Sequence, residues 1–362
     1  SRSQSSGVRG PESSSPTKTP LRQAPHKNLV TKNTRDAMQK LKVTPLAAES
    51  LGVRSMCTYV ETPSLRILLD AGVSLCPSRF RLPPHPREFQ AIIEAREKIV
   101  EYADRADVVT ISHYHFDHHT PSFEDWLCNW TDTETARQVY EGKLVLAKDY
   151  GQNVNASQRR RGWVFEKTGG KHAKRIEPAD GREFLFGETR VKFSSPVFHG
   201  LPNTPLGWVI MTTIEYEDEK MLFASDVQGP LDSSTVQTIL DEKPQLAIIG
   251  GPPLYLADFR VDRRQLAQGL KNLETLSKKI ALIVAEHHLL RDTEWRGWAK
   301  QALESALKSG NRIATAAEFL GRKDLLLEAG RKQLYVDEPP SREFEKWSKL
   351  PERRLRMTKP PL

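Results

Sequence analysis

"ISHYHFDHHTPSFEDW", residues 111–126, gathers imidazoles and a carboxylate into a few consecutive positions. It holds His113, His115, His118 and His119, four of the chain's ten histidines, together with Asp117, and it follows the apolar run "DVVT". Side chains two apart on an extended segment share a face, so His113 and His115 can reach one ion at Zn–N distances of about 2.0–2.1 Å. Asp117 and His118 come next on the turn, where the reversing backbone can aim both at a second point. The competing reading is a polar loop whose imidazoles are satisfied by water or backbone. H-x-H-x-D-H at the end of a buried strand favours a metal site over that loop.

A site of this kind needs further ligands, and three later strand ends supply them. "SSPVFHG" (194–200) carries His199, "MLFASDVQG" (221–229) carries Asp226, and "ALIVAEHH" (281–288) carries His287 and His288. Each is an apolar run, then a ligand type, then a turn, and three such cases added to the cluster make a constellation. His287 comes first after its strand and is the expected ligand; His288 is left as a proton donor or substrate contact. The early strand "LRILLDAG" (65–72) ends at Asp70, which can brace a ligating imidazole or serve as an ordinary turn aspartate. His119 lies outside the motif's spacing, and His85, in "PPHP" (83–86), is expected to be structural.

Composition bounds the rest. A chain of 362 residues, 38% hydrophobic, suits one elaborated domain with tails. Residues 1–42 are rich in Ser, Pro and basic residues and are expected to be disordered, residues 43–330 to form the folded body, and residues 331–362 a peripheral tail with at most one short helix. Within the body, short strands come first, then the helical stretch 87–106 and the strand before the cluster; after more strands, β and α alternate, which predicts layered α/β architecture. Cys57, Cys76 and Cys128 match no zinc knuckle or disulfide framework. With no long apolar run and no apolar leader at the N-terminus, a cytoplasmic protein with no membrane association is expected. Lysine and arginine outnumber acids 54 to 46, for a net charge of +8, which favours anionic partners without proving nucleic-acid binding.

His113, His115, Asp117, His118, His199, Asp226 and His287, with the strand ending at Asp70, resemble the ligand series of the metallo-beta-lactamase superfamily over roughly residues 43–320. Within it, "SLGVRSMCTYVET" (50–62), "RLPPHPREF" (81–89), "ISHYHFDHHTP" (111–121), "NASQRRRG" (155–162) and "HHLLRD" (287–292) look like the archaeal UPF0282 group of uncharacterised metallo-hydrolases. The resemblance implies a four-layer αβ/βα sandwich with metals in a cleft at the sheet edges. It implies that His113, His115 and His199 hold one divalent ion, Asp117, His118 and His287 a second, and that Asp226 bridges them. Two ions about 3.5–4 Å apart can share and activate a water, so the implied reaction is hydrolysis by a metal-bridging hydroxide, oriented by Asp117 as catalytic residue. Zinc is the first expectation, and the mixed N/O ligands also suit iron or manganese.

For the substrate, "SQRRRGWVFEKTGGKHAKR" (157–175) sets Arg159, Arg160 and Arg161 beside Trp163 and Phe165. Basic and aromatic side chains interleaved in this way can hold phosphates and stack bases, and the opposing reading is a solvated basic helix face. A phosphodiester is slightly favoured, with RNA or single-stranded DNA as candidates and the chain as a nuclease. The alternatives are a small-molecule hydrolase for a lactone, thioester or cyclic phosphodiester, and a non-catalytic metal-binding scaffold. The interval of about sixty residues between Asp226 and His287 is short for the inserted cap of beta-CASP nucleases, and no KH pattern is present.

Overall fold

The computed structural model describes residues 38–257 and 259–362. Its first sheet runs in chain order: β1 (Lys42–Pro45), β2 (Thr58–Thr62), β3 (Leu65–Leu69), β4 (Val108–Ile111), β5 (Leu144–Ala147) and β6 (Arg175–Pro178). The first three strands form an antiparallel meander, and β3 to β6 are parallel. Parallel neighbours need a crossover. Here α1 (Pro86–Arg105), α2 (Thr133–Tyr140) and α3 (Ala156–Lys167) supply the three.

The second sheet repeats this plan. After β7 (Glu183–Phe186), β8 (Thr189–Phe193) and a separate short pair, β9 (Val197–Phe198) with β10 (Trp208–Val209), come β11 (Thr212–Tyr216), β12 (Glu219–Ala224), β13 (Leu246–Gly250), β14 (Leu282–Glu286) and β15 (Arg312–Ala314). Its order is β15-β14-β13-β12-β11-β8-β7, parallel from β12 to β15 and antiparallel beyond. The crossovers are α4 (Ser233–Glu242), α5 (Arg263–Ser277), and a last pair, α6 (Trp295–Trp298) and α7 (Lys300–Lys308).

Strand alternation assigns the layers. In β3, Ile67 and Leu69 face the second sheet, meeting a core that includes Val191, Ile214, Met221, Phe223, Ile248 and Val284. Leu68 faces the other way, into a cluster with Phe89, Ile92 and Ile99 of α1 and Val139 of α2. On the far side, Leu222, Ala247, Ile249 and Ile283 pack with Ile239, Leu273, Leu276 and Ala302 of the helices. Central strands buried on both faces explain why "DVVTI" and "QLAIIG" read as unbroken apolar runs. The result is the expected four-layer αβ/βα sandwich.

His85 is structural. It is the N-cap of α1: its side chain accepts from Arg87 N at 3.2 Å, Glu88 reaches back to His85 N at 2.8 Å, and Pro86 fills the first helical position.

Two expectations about chain organisation differ from what the fold shows. The last β/α alternation of the sequence predicts a single helix from Glu294 to Lys308, and that helix is interrupted at Ala299. Beyond α8 (Ala316–Phe319), residues 331–362 form three helices, α9 (Arg331–Asp337), α10 (Arg342–Ser348) and α11 (Glu352–Met357), and they are not peripheral. Arg331 is fully buried, its Nε and Nη2 each donating to the Glu88 carboxylate at 2.8 Å. Phe344, Trp347 and Leu355 join the core cluster beneath α1, with the Phe344 and Trp347 rings 6.0 and 5.5 Å from that of Phe89. Prolines cut each helix too short to display a helical period, so three apolar anchors were hidden in a polar average. The expectation of disorder for residues 1–42 lies, over residues 1–37, outside the described residues. From there Met38 and Leu41 are already buried, and the backbone N–H groups of Gln39, Lys40 and Leu41 all donate to the Glu219 carboxylate.

Candidate metal centre

Five strand ends converge on one edge of the sandwich. Asp70 follows β3, the segment 112–119 follows β4, His199 follows β9, Asp226 follows β12 and His287 follows β14. The first sheet therefore contributes Asp70 and the 112–119 turn, the second sheet Asp226 and His287, and the separate β9–β10 pair His199.

The carboxylate of Asp226 stands at the middle. Its Oδ2 lies 2.9 Å from His199 Nε2, 3.5 Å from His113 Nε2, 3.9 Å from His115 Nδ1, 3.7 Å from His118 Nε2 and 3.5 Å from His287 Nε2. On one side, His115 Nδ1 is 3.1 Å from His113 Nε2 and 3.2 Å from His199 Nε2. On the other, His118 Nε2 is 3.2 Å from His287 Nε2, and Asp117 Oδ2 is 3.8 and 3.5 Å from those two nitrogens. The donors include two sets, His113/His115/His199/Asp226 and Asp117/His118/His287, each compact enough to hold a metal ion, and Asp70/His113/His118 and Asp226/His287/His288 are compact as well.

The chemistry of the donors fits cations. Two nitrogens on one tetrahedral zinc stand about 3.3 Å apart, given Zn–N bonds of about 2.0–2.1 Å. The imidazole pairs here have that spacing, with ring nitrogens converging on common points. The buried Asp226 Oδ1 has His288 Nε2 2.9 Å away, in an ion-pair contact. Glu49, Asp70, Asp117 and Asp226 bring four carboxylates around the cluster, against the guanidinium of Arg291, which pairs with Glu49 at 2.8 Å. Uncompensated buried charge of that sign is costly unless cations neutralise it.

The ring nitrogens facing away from the centre have partners. Asp70 accepts from His118 Nδ1 at 2.9 Å, from Ser112 N and Oγ at 2.8 and 2.6 Å, and from Ser225 Oγ at 2.7 Å. Ser112 Oγ is 2.9 Å from His113 Nδ1, Glu49 is 3.0 Å from His287 Nδ1, and the Gln228 amide is 3.4 Å from His199 Nδ1. The oxygens beside His113, His118 and His287 accept from Nδ1 and so select the tautomer that leaves the inward Nε2 free to bind metal, whereas the Gln228 NH2 facing His199 can only donate. Asp70 is thus a brace for His118. His288 turns its Nδ1 to Tyr255 Oη at 3.0 Å, and Arg291 Nη1 donates to the same oxygen at 3.1 Å.

Protonation follows the same logic. Although burial opposes ionisation, the surrounding imidazoles hold Asp226 and Asp117 well below the usual carboxylate range. Burial, aided by the neighbouring His118, pushes His113 well below the usual imidazole range. Burial would also lower His287, but the carboxylates of Glu49 and Asp226 outweigh it and raise that residue to about 10. In the protein without metal, that proton stands in for a cation.

Backbone geometry is committed to the site. Asp70, Asp226 and His287 have φ of 47°, 46° and 64°, in the left-handed region that non-glycine residues seldom enter. Three such residues in one cluster suggest strain held by the surrounding fold. At Gly72 a Cβ would come 2.3 Å from His119 N and 2.5 Å from His118 N, so the loop after β3 presses against the ligand turn as only glycine permits.

Sequence reasoning missed Glu49, Ser112, Ser225, Gln228 and Arg291, while Tyr255 lies in "GGPPLYL" (250–256), a stretch after a strand that the sequence offers either as cleft lining or as an ordinary loop. The serines directly precede ligand candidates and Arg291 follows His287 by four, which are legible signals; Glu49 lies 238 residues from its histidine and gives none. His119 is buried against Tyr114 and Phe165, its Nδ1 2.9 Å from His115 O. Arg159 and Arg160 are exposed on α3, while Arg161 is half-buried with its guanidinium 4.4 Å from the centre of the Phe116 ring. No helix among the described residues is long and apolar enough to cross a membrane.

No family model matches the chain. It is 44% identical over 298 residues to the UPF0282 protein of Methanopyrus kandleri, covering 82% of this chain and 100% of that one. It is also 44% identical over 299 residues to the UPF0282 protein of Thermococcus gammatolerans, covering 82% and 96%. Among solved structures it is similar to the metallo-beta-lactamase fold protein YhfI of Bacillus subtilis, with a TM-score of 0.44 and 14% identity over 79% of this chain and 98% of that one. With that degree of identity to archaeal relatives spanned almost end to end, the chain belongs to the UPF0282 family.

Proposed function

We propose that this protein is a dinuclear metal-dependent hydrolase acting on phosphodiesters. The observation that carries the reading is the position of Asp226 Oδ2, within 2.9–3.9 Å of five imidazole nitrogens that divide into two sets. A carboxylate so placed is suited to bridge two cations, with His113, His115 and His199 around one and Asp117, His118 and His287 around the other. Zinc suits these ligands best, and iron or manganese would also be accepted. When bound, a pair of ions supplies an activated water and neutralises charge on the group under attack.

The chain's own residues supply orientation and proton handling. Asp117 is the ligand whose carboxylate keeps contact with the cleft, its side chain 17% exposed against 2% or less for Asp226 and His287, so it can accept a hydrogen bond from the attacking water and orient it. His288, held by Tyr255 and Arg291 through its Nδ1, is placed to contact substrate or give a proton to the leaving oxygen. Arg161 sets a fixed positive charge beside the ligand turn, which supports an anionic substrate over a neutral lactone.

Two measurements test the proposal. Metal analysis of the purified full chain should find close to two transition-metal ions per molecule, and His115→Ala or Asp226→Ala should lower that number. Labelled RNA, single-stranded DNA and bis(p-nitrophenyl) phosphate should be cleaved by wild type and not by His118→Ala. Folded protein that takes up no metal, or cleavage indifferent to His118, would remove the reading; hydrolysis confined to lactones or thioesters would transfer it to small-molecule esters.

A further inference from the structure

Beside the ligand turn lies a pocket of about 360 Å³, a volume in the range of small-molecule sites. Phe116, Phe123 and Val164 form its apolar walls, Ser157 contributes a hydroxyl, and Arg160 and Arg161 line its margin. Phe116 stands between His115 and Asp117 in the chain, so the pocket adjoins the turn that carries both.

Core packing does not account for these side chains. Phe123 and Val164 remain 38% and 37% exposed, yet the rings of Phe116 and Phe123 are set edge to face with centres 5.3 Å apart. Arg161 is fixed over Phe116, its Nη1 3.4 Å from Tyr114 O. Helix α3, which brings the arginines, is itself pinned to the ligand turn: the buried Gln158 accepts from Tyr114 N, and Asn155 caps the helix while donating to Pro205 O and Leu206 O. The pocket is therefore rigidly registered to the metal centre.

We propose that this pocket receives the base of a nucleotide whose phosphate lies at the metal centre. Flat aromatic walls suit a ring system, and a guanidinium over one of them adds a cation–π surface for stacking. A hydroxyl beside them can donate to or accept from a base edge, and two arginines on the margin suit the phosphates that flank a base in a nucleic-acid strand. The inference rests on the phosphodiester reading and narrows it to nucleotide diesters.

Calorimetric titration of the full chain with adenosine 5′-monophosphate and with ribose 5-phosphate separates the base from the phosphate. The nucleotide should bind roughly 10- to 100-fold more tightly, the range expected for one stacked base. Val164→Trp, which fills the pocket from an exposed helix position, and Phe123→Ala, also at an exposed site, should each erase most of that preference and leave ribose 5-phosphate affinity unchanged. Equal affinities of wild type for the two probes, binding of neither, or a preference untouched by both variants would overturn the proposal. A pocket that serves another macromolecule would give one of those results. The two readings fail separately: base-dependent binding without hydrolysis of any diester upholds the pocket and removes the hydrolase, whereas diester hydrolysis with no preference for a base removes the pocket alone.

Discussion

Replacing Asp70 by asparagine should weaken metal binding without unfolding the protein. The Asp70 carboxylate accepts at both oxygens: Ser112 N meets Oδ1 at 2.8 Å, while Ser112 Oγ, Ser225 Oγ and His118 Nδ1 meet Oδ2 at 2.6–2.9 Å. An amide can keep an acceptor on only one of these sides. If its oxygen stays toward His118, its NH2 faces the Ser112 N–H, donor against donor, at a cost of about 1–3 kcal/mol. If its NH2 turns toward His118, Nδ1 becomes the acceptor, the proton moves to Nε2, and the nitrogen facing His287 can no longer bind an ion. Loss of such a brace lowers metal affinity about 10- to 100-fold, equivalent to ~1.4–2.8 kcal/mol. Competition against a chromogenic chelator would read the affinity, and urea unfolding of the metal-free protein would read the fold. The reasoning is refuted if stability falls while affinity for both ions is unchanged, because Asp70 would then be a structural acceptor only.

The two neighbouring histidines should separate cleanly: His287→Ala is expected to release about one ion per chain, whereas His288→Ala should retain both ions and lower kcat about 100-fold, the lower part of the range for general acid–base groups. Equal metal loss in the two variants would make His288 a ligand. Gly72→Ala should destabilise by ~3 kcal/mol in urea titrations, because the loop after β3 and the ligand turn are both backbone and cannot yield as a side chain would. The metal-free protein should also lose stability in acid through Glu328, which accepts from Arg54 Nε and Nη2 at 2.6 Å. Burial opposes that carboxylate's ionisation, but Arg54, with Arg291 and Arg331 behind it, lowers its pKa from 4.5 to about 2. Since the folded value is the depressed one, the stabilisation is present above pH 4.5 and disappears as pH falls towards 2. It amounts to ~3 kcal/mol, and the acid limb of a melting profile should flatten in Glu328→Gln.

What was legible in the sequence follows from how local each signal is. His113, His115, Asp117 and His118 share one turn, so their spacing carries the geometry with it. His199, Asp226 and His287 could be found because each ends an apolar strand, and sheet edges gather what strands end with. Glu49 defeats such reading: it sits in a short 3-10 turn, Glu49–Leu51, and meets His287 only because the two sheets close on each other. Tyr255 is similar, since "GGPPLYL" (250–256) looks like any proline-rich loop until its hydroxyl is seen against His288. The order of strands and crossover helices was readable from apolar runs, whereas α9 to α11 were not, because a six- or seven-residue helix exposes too few turns to show a period.

The way Phe344, Trp347 and Leu355 complete the layer under α1 bears on how the protein is made. Domains tend to fold as units while the N-terminal part emerges first from the ribosome. Here the layer that holds the H-x-H-x-D-H turn in place draws on residues from Leu46 to Leu355, so it stays unfinished until almost the whole described chain has been synthesised. Nascent protein would expose Phe89 and its neighbours throughout that interval, which makes this layer the surface a chaperone would meet and delays the candidate metal centre's final form until Leu355 has emerged.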